Sequence, residues 1–169
     1  MSDLPLDTLI AALLVAQGVM GGIDTLLNHE LIARLPYRVE TRAELPLHAI
    51  REAIYATLFG GLAWFAWHGA AEFVIGALLA AEVTVTACDE LIENRIRVLP
   101  QNERVLHIFL TLNLGAIIAV IMPVLLGWSS RDTALAPAHH GWLSWALTAL
   151  ALVAAAWSVR DLLAWRKLS

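Results

Sequence analysis

Apolar residues run along the chain in long blocks that short polar stretches separate. Five of these blocks are long enough, at about 20 residues each, to cross the hydrocarbon core of a bilayer as helices. They span Leu4–Leu27, Leu45–His68, Ala71–Leu91, Val105–Trp128 and Gly141–Ala164. The pattern predicts an all-α, polytopic membrane protein with five transmembrane helices in a single domain over residues 1–169.

The positions of the cations predict how the chain crosses the membrane. Apolar residues make up 59% of the sequence, above the share typical of soluble domains. Of the 11 Lys and Arg residues, all but Arg131 flank the block ends on one side. Because cationic loops face the cytoplasm, five spans place the N-terminus outside and the C-terminus in the cytoplasm. We expect an inner membrane of the bacterial type.

The first four blocks form two helix hairpins that carry the same polar pattern. In the first hairpin, about residues 4–68, it reads Asp24, Asn28-His29, Leu35-Pro36 and Glu44-x-x-x-His48. In the second, about residues 71–128, it reads Asp89, Glu93-Asn94, Leu99-Pro100 and Glu103-x-x-x-His107. Both turns lie on the same side of the membrane, so the hairpins are parallel repeats about an axis along the membrane normal. They predict a four-helix bundle plus one extra helix.

The repeat leaves one alignment open. Matching the two aspartates pairs Asn28 with Glu93, whereas matching the Leu-Pro pairs places His29 opposite Glu93. The metal ligand on the first helix therefore stays open among Asp24, Asn28 and His29. The extra helix, about residues 141–164, is predicted to lack an acid or histidine in its apolar body, so we expect it to serve packing or an oligomer contact.

Seven carboxylates lie within or at the ends of the four hairpin helices. They are Asp24, Glu44, Glu52, Glu82, Asp89, Glu93 and Glu103. Charged groups within a span are costly unless paired or ligated, and carboxylates at one level repel each other unless cations or protons intervene. His48 and His107 each follow a glutamate by four residues, on the same helix face. A site with two divalent ions, each bound by one of these histidines, explains the pattern.

The donor types narrow the choice of metal. Oxygen and imidazole ligands without thiolate favour iron or manganese, with zinc as an alternative. A competing interpretation is that Glu44 and Glu103 only start helices, where acids favour the N-terminus, and that hydrogen bonds satisfy the histidines. Glu82 lies deepest in the span, and we expect it to be a proton carrier or a partner of Arg51 or Thr86.

Four helices that give carboxylates, two of them with a following histidine, resemble the ferritin-like di-iron carboxylate proteins. That family uses Glu-x-x-His on two helices, whereas both repeats here read Glu-x-x-x-His. The stretch Asn102-Glu103-Arg104-Val105-Leu106-His107 is also similar to the Asn-Glu-Arg-x-His stretch of alternative oxidases, which are membrane-bound di-iron quinol oxidases. The resemblance implies redox or oxygen chemistry near the cytoplasmic headgroups, on an apolar molecule that enters sideways from the bilayer.

The resemblance also implies a role for each polar residue. The carboxylate ligands would be Glu44, Asp89, Glu93 and Glu103, and the terminal nitrogen ligands would be His48 and His107. Asp24 and His29 would bind or support the metals from the first helix. The residues that orient the ligands or carry protons would be Arg51, Glu52 and Glu82.

The sequence therefore predicts an integral-membrane di-metal oxidoreductase, with two ions that are iron first and manganese or zinc as alternatives. Its partners would be membrane lipids and an apolar substrate or quinol, with no nucleic acid. Because no Gly-rich nucleotide-binding motif occurs, electrons would come from a quinol or a donor protein. A homo-oligomer is compatible with the pattern. The alternatives are a metal or proton transporter, a non-catalytic membrane subunit, and a metal-free acid–base enzyme acting on lipid.

Overall fold

The computed structural model describes residues 6–168, and within them the chain forms five long helices. Their bounds are α1 Leu6–Asp24, α2 Leu45–Trp64, α3 Glu72–Ile96, α4 Gln101–Ser129 and α5 Trp142–Lys167. The prediction of a helical chain is confirmed, because each predicted apolar block overlaps one of these helices, although α3, α4 and α5 extend beyond their blocks. The predicted start of the first block at Leu4 lies outside the described residues.

Four helical stretches are long and apolar enough to cross a membrane. They are Leu6–Tyr37, Gly69–Ile96, Gln101–Ser129 and Trp142–Lys167. Their outward-facing side chains are largely apolar, with Leu126 and Leu152 among the most exposed. Helices that are apolar all round are typical of membrane spans. The helix α2 has 20 residues and is about 30 Å long, but it is not among these four stretches, and His48, Arg51 and Glu52 lie in its first half.

The helix α5 occupies a place in the bundle between α1 and α2, which themselves make little contact. It packs most extensively on α2, while α1 also packs on α4, and α3 packs on α2. Three hydrogen bonds join α5 to α2, and their α5 partners are Ser144, Thr148 and Ser158. Small and hydroxyl-bearing residues allow such close approach between helices. The bundle therefore has five members, where the repeat predicted four and one extra helix.

Two short strands close one end of the bundle, which we name the strand end. The strand β1, Phe65–His68, pairs antiparallel with β2, Ala134–Pro137, with Phe65 opposite Pro137. The second apolar block was predicted to stay helical up to His68. The helix ends at Trp64 instead, because Phe65 adopts an extended conformation and the backbone that follows pairs with β2.

The opposite end, which we name the charged end, contains the connections from α1 to α2 and from α3 to α4. Here α1 continues directly into π-helical turns over Thr25–Ala33, in which hydrogen bonds join residues five apart. Arg34 ends these turns in the left-handed conformation, with φ of 54°, and donates its N–H to the His29 carbonyl. Two 3-10 turns, Leu35–Tyr37 and Val39–Thr41, then lead to α2. This ordered path buries the His29 side chain inside the bundle.

Candidate metal centre

A cavity of about 190 Å³ lies inside the bundle at the charged end, and all five helices line it. The predicted site residues that line it are Asp24, His29, His48, Arg51, Glu52, Glu82, Asp89, Glu93 and His107. The other two, Glu44 and Glu103, are fully buried beyond the polar wall. The remaining wall is mostly apolar and includes Gly21, Gly22, Phe59, Leu114 and Trp157. A polar face therefore meets an apolar chamber in one cavity.

The two hairpins exchange contacts across this cavity. The His107 Nε2 atom lies 3.2 Å from Asp24 Oδ2, so the histidine of the second hairpin meets the aspartate of the first. The His48 Nε2 atom lies 3.4 Å from Asp89 Oδ2, which is the reciprocal pair. The structure thus brings together both histidines and both aspartates that the repeat pattern singled out.

The π-helical turns place His29 among these groups. Its Nε2 atom lies 3.4 Å from Asp24 Oδ2 and 3.6 Å from Glu103 Oε1, and its ring contacts the His48 ring edge-on at 4.3 Å. Asn28 instead donates to Asp24 Oδ1 at 2.7 Å and accepts a hydrogen bond from Asn102. Of the residues left open on the first helix, Asp24 and His29 join the cluster, and Asn28 orients Asp24.

Three sets of side chains have the spacing to hold a metal ion, with ligand atoms that all lie within 4.8 Å of one another. The sets are Asp24, His29, Glu103 and His107; His29, His48 and Glu93; and Glu90, Glu93 and His107. The first two consist of buried or nearly buried groups, and they share His29. Glu90 was not predicted as a site residue, and its side chain is 54% exposed at the cavity edge.

Several ligand-type atoms in this cluster are buried without a hydrogen-bond partner. They are His29 Nδ1, His29 Nε2, His48 Nε2, Asp89 Oδ1 and Glu93 Oε2. Buried polar atoms are normally satisfied, and each orphan costs about 1–3 kcal/mol. Imidazole nitrogens and carboxylate oxygens are ligands that divalent iron, manganese and zinc accept. The residues present therefore fit a bound cation.

Arg97 is a site residue that the sequence pattern assigned only to a basic turn. Its guanidinium donates to Glu44 at 3.1 Å, to Glu93 at 2.9 Å and to both oxygens of Glu103 at 2.6 and 2.9 Å. Arg97 follows Glu93 by one helical turn, so the row Glu82, Asp89 and Glu93 could have been extended to it. The structure thus places Glu44 against a guanidinium and outside the three metal-type sets.

These ion pairs shift the pKa values of the groups that lie outside the helices. Burial raises the pKa of the Glu44 carboxyl, although the hydrogen bond and positive charge of Arg97 oppose the rise. Burial by itself would lower the pKa of the Arg97 guanidinium, but its bonds to Glu103 and Glu44 raise it above the usual value. Arg97 therefore remains a fixed positive charge at this end of the cluster.

Arg51 organises the deeper part of the polar wall. Its Nη1 atom lies 2.9 Å from Asp89 Oδ2, and its Nε atom lies 3.5 Å from Glu82 Oε1. Thr86 also donates to Glu82 Oε1, at 3.2 Å. Glu82 was expected to be either a proton carrier or a partner of Arg51 or Thr86. The structure shows contacts with both of these residues. The second oxygen of Glu82, Oε2, is buried without a hydrogen bond, and the Glu82 side chain lines the cavity.

The fifth helix reaches the site at its last turns, contrary to the expectation that it carries no acid there. Asp161 is 3% exposed and interacts electrostatically with Glu52 of α2, while Arg160 pairs with both Asp161 and Glu30. Asp161 directly follows Arg160 near the end of the last apolar block, and this position indicated a helix end rather than a site residue. Its position next to α2 follows from the packing of α5 between α1 and α2, which the local pattern could not reveal.

No protein-family model matches the chain, and no curated protein or solved structure matches it either. The interpretation of the site therefore depends on its own geometry and chemistry.

Proposed function

We propose that this protein is an integral-membrane di-metal carboxylate oxidoreductase that acts on a lipid, a quinol or another apolar molecule. The observation that carries the proposal is the set of ligand atoms from Asp24, His29, Glu103 and His107, all within 4.8 Å of one another. A second set from His29, His48 and Glu93 lies beside it. Carboxylates and imidazoles from bundle helices are the donors of di-iron sites, so iron is the first choice, with manganese or zinc as alternatives.

The balance of charge supports two divalent ions. Six carboxylates that are at most 4% exposed surround the cluster: Asp24, Glu44, Glu82, Asp89, Glu93 and Glu103. Two guanidinium groups, of Arg51 and Arg97, lie among them. With every carboxylate ionised and the histidines neutral, four negative charges remain, and buried charges are stable only when compensated. Two divalent cations supply that compensation.

The chain prepares the site for chemistry that bound iron would supply, namely one-electron redox reactions and reactions with oxygen. Arg51 holds Asp89 and Glu82 in position, and Arg97 holds Glu103 and Glu93. The apolar side of the cavity excludes water and accepts an apolar reactant. A quinol or an electron-donor protein would provide reducing equivalents, since the sequence contains no nucleotide-binding motif.

In this proposal α2 also crosses the membrane, as the fifth span. Its charged residues face the bundle interior, where neighbouring helices compensate them. The charged end then lies at the cytoplasmic side, because the cations flank it. The reciprocal pairs Asp24–His107 and Asp89–His48 support the parallel hairpin repeat, and a homo-oligomer is compatible with the exposed apolar helix faces.

A transporter would need polar groups along the whole path through the bundle. Among the described residues, all buried charged side chains lie toward the charged end, and the strand-end core is built from residues such as Leu58, Ile75 and Ile121. This distribution favours a reaction chamber at one end of the bundle over a path for ions through it.

Metal content tests the proposal directly. The protein is purified from cells supplied with iron, manganese and zinc, and bound metals are counted by mass spectrometry. We expect about two ions per chain and the loss of at least one ion in His29→Ala and His107→Ala, because each removes a donor that no nearby side chain replaces.

His139→Ala is the matched control, since His139 is an exposed histidine at the strand end and should leave the metal content unchanged. A wild-type protein that binds none of the three metals would contradict the proposal. Equal metal content in His107→Ala and His139→Ala would contradict it as well.

A further inference from the structure

The cavity extends from the polar cluster to the lipid-facing surface between α1 and α5. These helices touch at Gly18, where an added Cβ atom would lie 2.7 Å from Leu150. One turn further toward the charged end, a Cβ atom added at Gly21 or Gly22 would meet no atom within 4 Å. The α5 residues on the facing wall include Val153 and Trp157, and Val153 is 53% exposed. The two helices therefore diverge around an open gap.

The inner end of this gap holds polar atoms that lack partners. Glu82 is 2% exposed, its Oε1 atom accepts from Thr86, and its Oε2 atom has no hydrogen bond, although the Tyr55 hydroxyl lies close enough to interact with the carboxyl. Two donors on the cavity wall, Arg51 Nε and Trp157 Nε1, are likewise without a hydrogen-bond partner. An acceptor and two donors at the end of an apolar passage match a hydroxyl group, which both donates and accepts. A carboxylate head would meet repulsion from the surrounding acids.

We propose that the gap between α1 and α5 is the binding site for an apolar alcohol or phenol from the bilayer. Its hydroxyl would bind at Glu82 and Arg51, and its apolar body would extend past Gly22 and Val153 toward lipid. Calling this molecule a substrate rests on the proposed function, because the binding site is part of the same cavity. Binding itself requires no metal and can be measured separately.

The test uses two photoreactive probes that differ in one group. The first is a long-chain alcohol that carries a diazirine, and the second is the corresponding alkane without the hydroxyl. Each is crosslinked to the protein in lipid nanodiscs, and the labelled peptides are identified by mass spectrometry. We expect the alcohol to label α1 and α5 beside the gap about tenfold more than the alkane does, because only the alcohol satisfies the buried polar atoms.

Gly22→Leu should reduce this labelling about tenfold, because the leucine side chain fills the gap. Val153→Trp narrows the gap from the α5 side and serves if Gly22→Leu does not fold. Gly115→Leu is the matched control on the exposed face of α4, where an added Cβ atom also meets nothing within 4 Å. It should label like wild type.

Equal labelling by the two probes would overturn the assignment. Unchanged labelling in both gap variants would also overturn it. Metal content is counted on the same preparations, so the two proposals are judged apart. Selective alcohol labelling of a protein that binds no metal would support the binding site and contradict the oxidoreductase.

Discussion

The two ends of the bundle are stabilised by different interactions, although the same five helices build both. At the strand end, completely buried apolar side chains such as Leu58, Ile75 and Ile121 pack together, and β1 pairs with β2. At the charged end, the buried groups are carboxylates and imidazoles, with two partly buried guanidiniums among them. The apolar end packs side chain against side chain, while the charged end contains ligand atoms that make no hydrogen bond.

This difference indicates that the two halves of the bundle have separate roles. An apolar half with complementary packing fixes the five helices relative to one another. The charged half can then hold repelling carboxylates and unsatisfied nitrogens close together, which no local preference would favour. Violations of local stability rules concentrate at functional sites, and within residues 6–168 the buried side-chain atoms without hydrogen bonds lie toward the charged end. The comparison predicts that mutations at the two ends separate stability from metal binding.

The largest effect is expected at the charged end, from Arg97→Ala in metal-free protein. It leaves Glu44, Glu93 and Glu103 without their shared cation, and breaking a buried ion pair in this way costs about 3–5 kcal/mol of unfolding free energy. Denaturant unfolding in detergent, followed by circular dichroism, measures the loss. Arg95→Ala is the control, since Arg95 is exposed on the same helix end and should change the value by less than about 0.5 kcal/mol. Equal losses in both variants would contradict the role given to Arg97.

The next largest effect is expected in the apolar half, where two adjacent leucines can be compared. Leu125 is 4% exposed and Leu126 is 68% exposed, so adjacent leucines on α4 face the core and the surroundings. Leu125→Ala should cost about 2–5 kcal/mol by opening a cavity, and Leu126→Ala should cost less than about 0.5 kcal/mol. Both variants should retain the metal content of wild type. A loss of metal in Leu125→Ala alone would show that the two ends are not independent.

The smallest effect concerns the turns at the strand end. Gly69 and Gly141 both have positive φ, at 56° and 63°. A Cβ atom added at Gly69 would lie 2.6 Å from the Thr133 backbone nitrogen, whereas at Gly141 it would meet nothing within 4 Å. Gly141→Ala should therefore cost about 1 kcal/mol for backbone strain, and Gly69→Ala about 2–3 kcal/mol because a clash is added. Thermal unfolding of the two variants measures both losses of stability. A larger loss in Gly141→Ala than in Gly69→Ala would contradict the clash inferred at Gly69.

The helices and the clustered residues were predictable because each depends on short-range periodicity. Apolar run length determined the five helices, and Glu-x-x-x-His placed each glutamate and histidine on one face. The spacing could not determine which helices become neighbours. The electrostatic interaction of Asp161 with Glu52 depends on where α5 packs, and β1 depends on residues about 70 positions away along the chain.

The choice between Asn28 and His29 stayed open in the sequence for another reason. An α-helical period places Asn28, four residues after Asp24, on the shared face. The π-helical turns place His29, five residues after Asp24, there as well. Nothing in the sequence from Thr25 to Ala33 distinguishes the two windings, because the cost of the wider turn is offset by contacts with other helices.

A π-helical turn is equivalent to an α-helix that has gained one residue without lengthening its hydrogen-bond ladder. The first helix therefore carries one residue more than ordinary winding needs, and the surplus lies beside the cavity. A single-residue deletion between Thr25 and Ala33 would let the segment return to α-helical winding. The rest of the bundle would keep its sequence, while the imidazole of His29 would turn away from its partners.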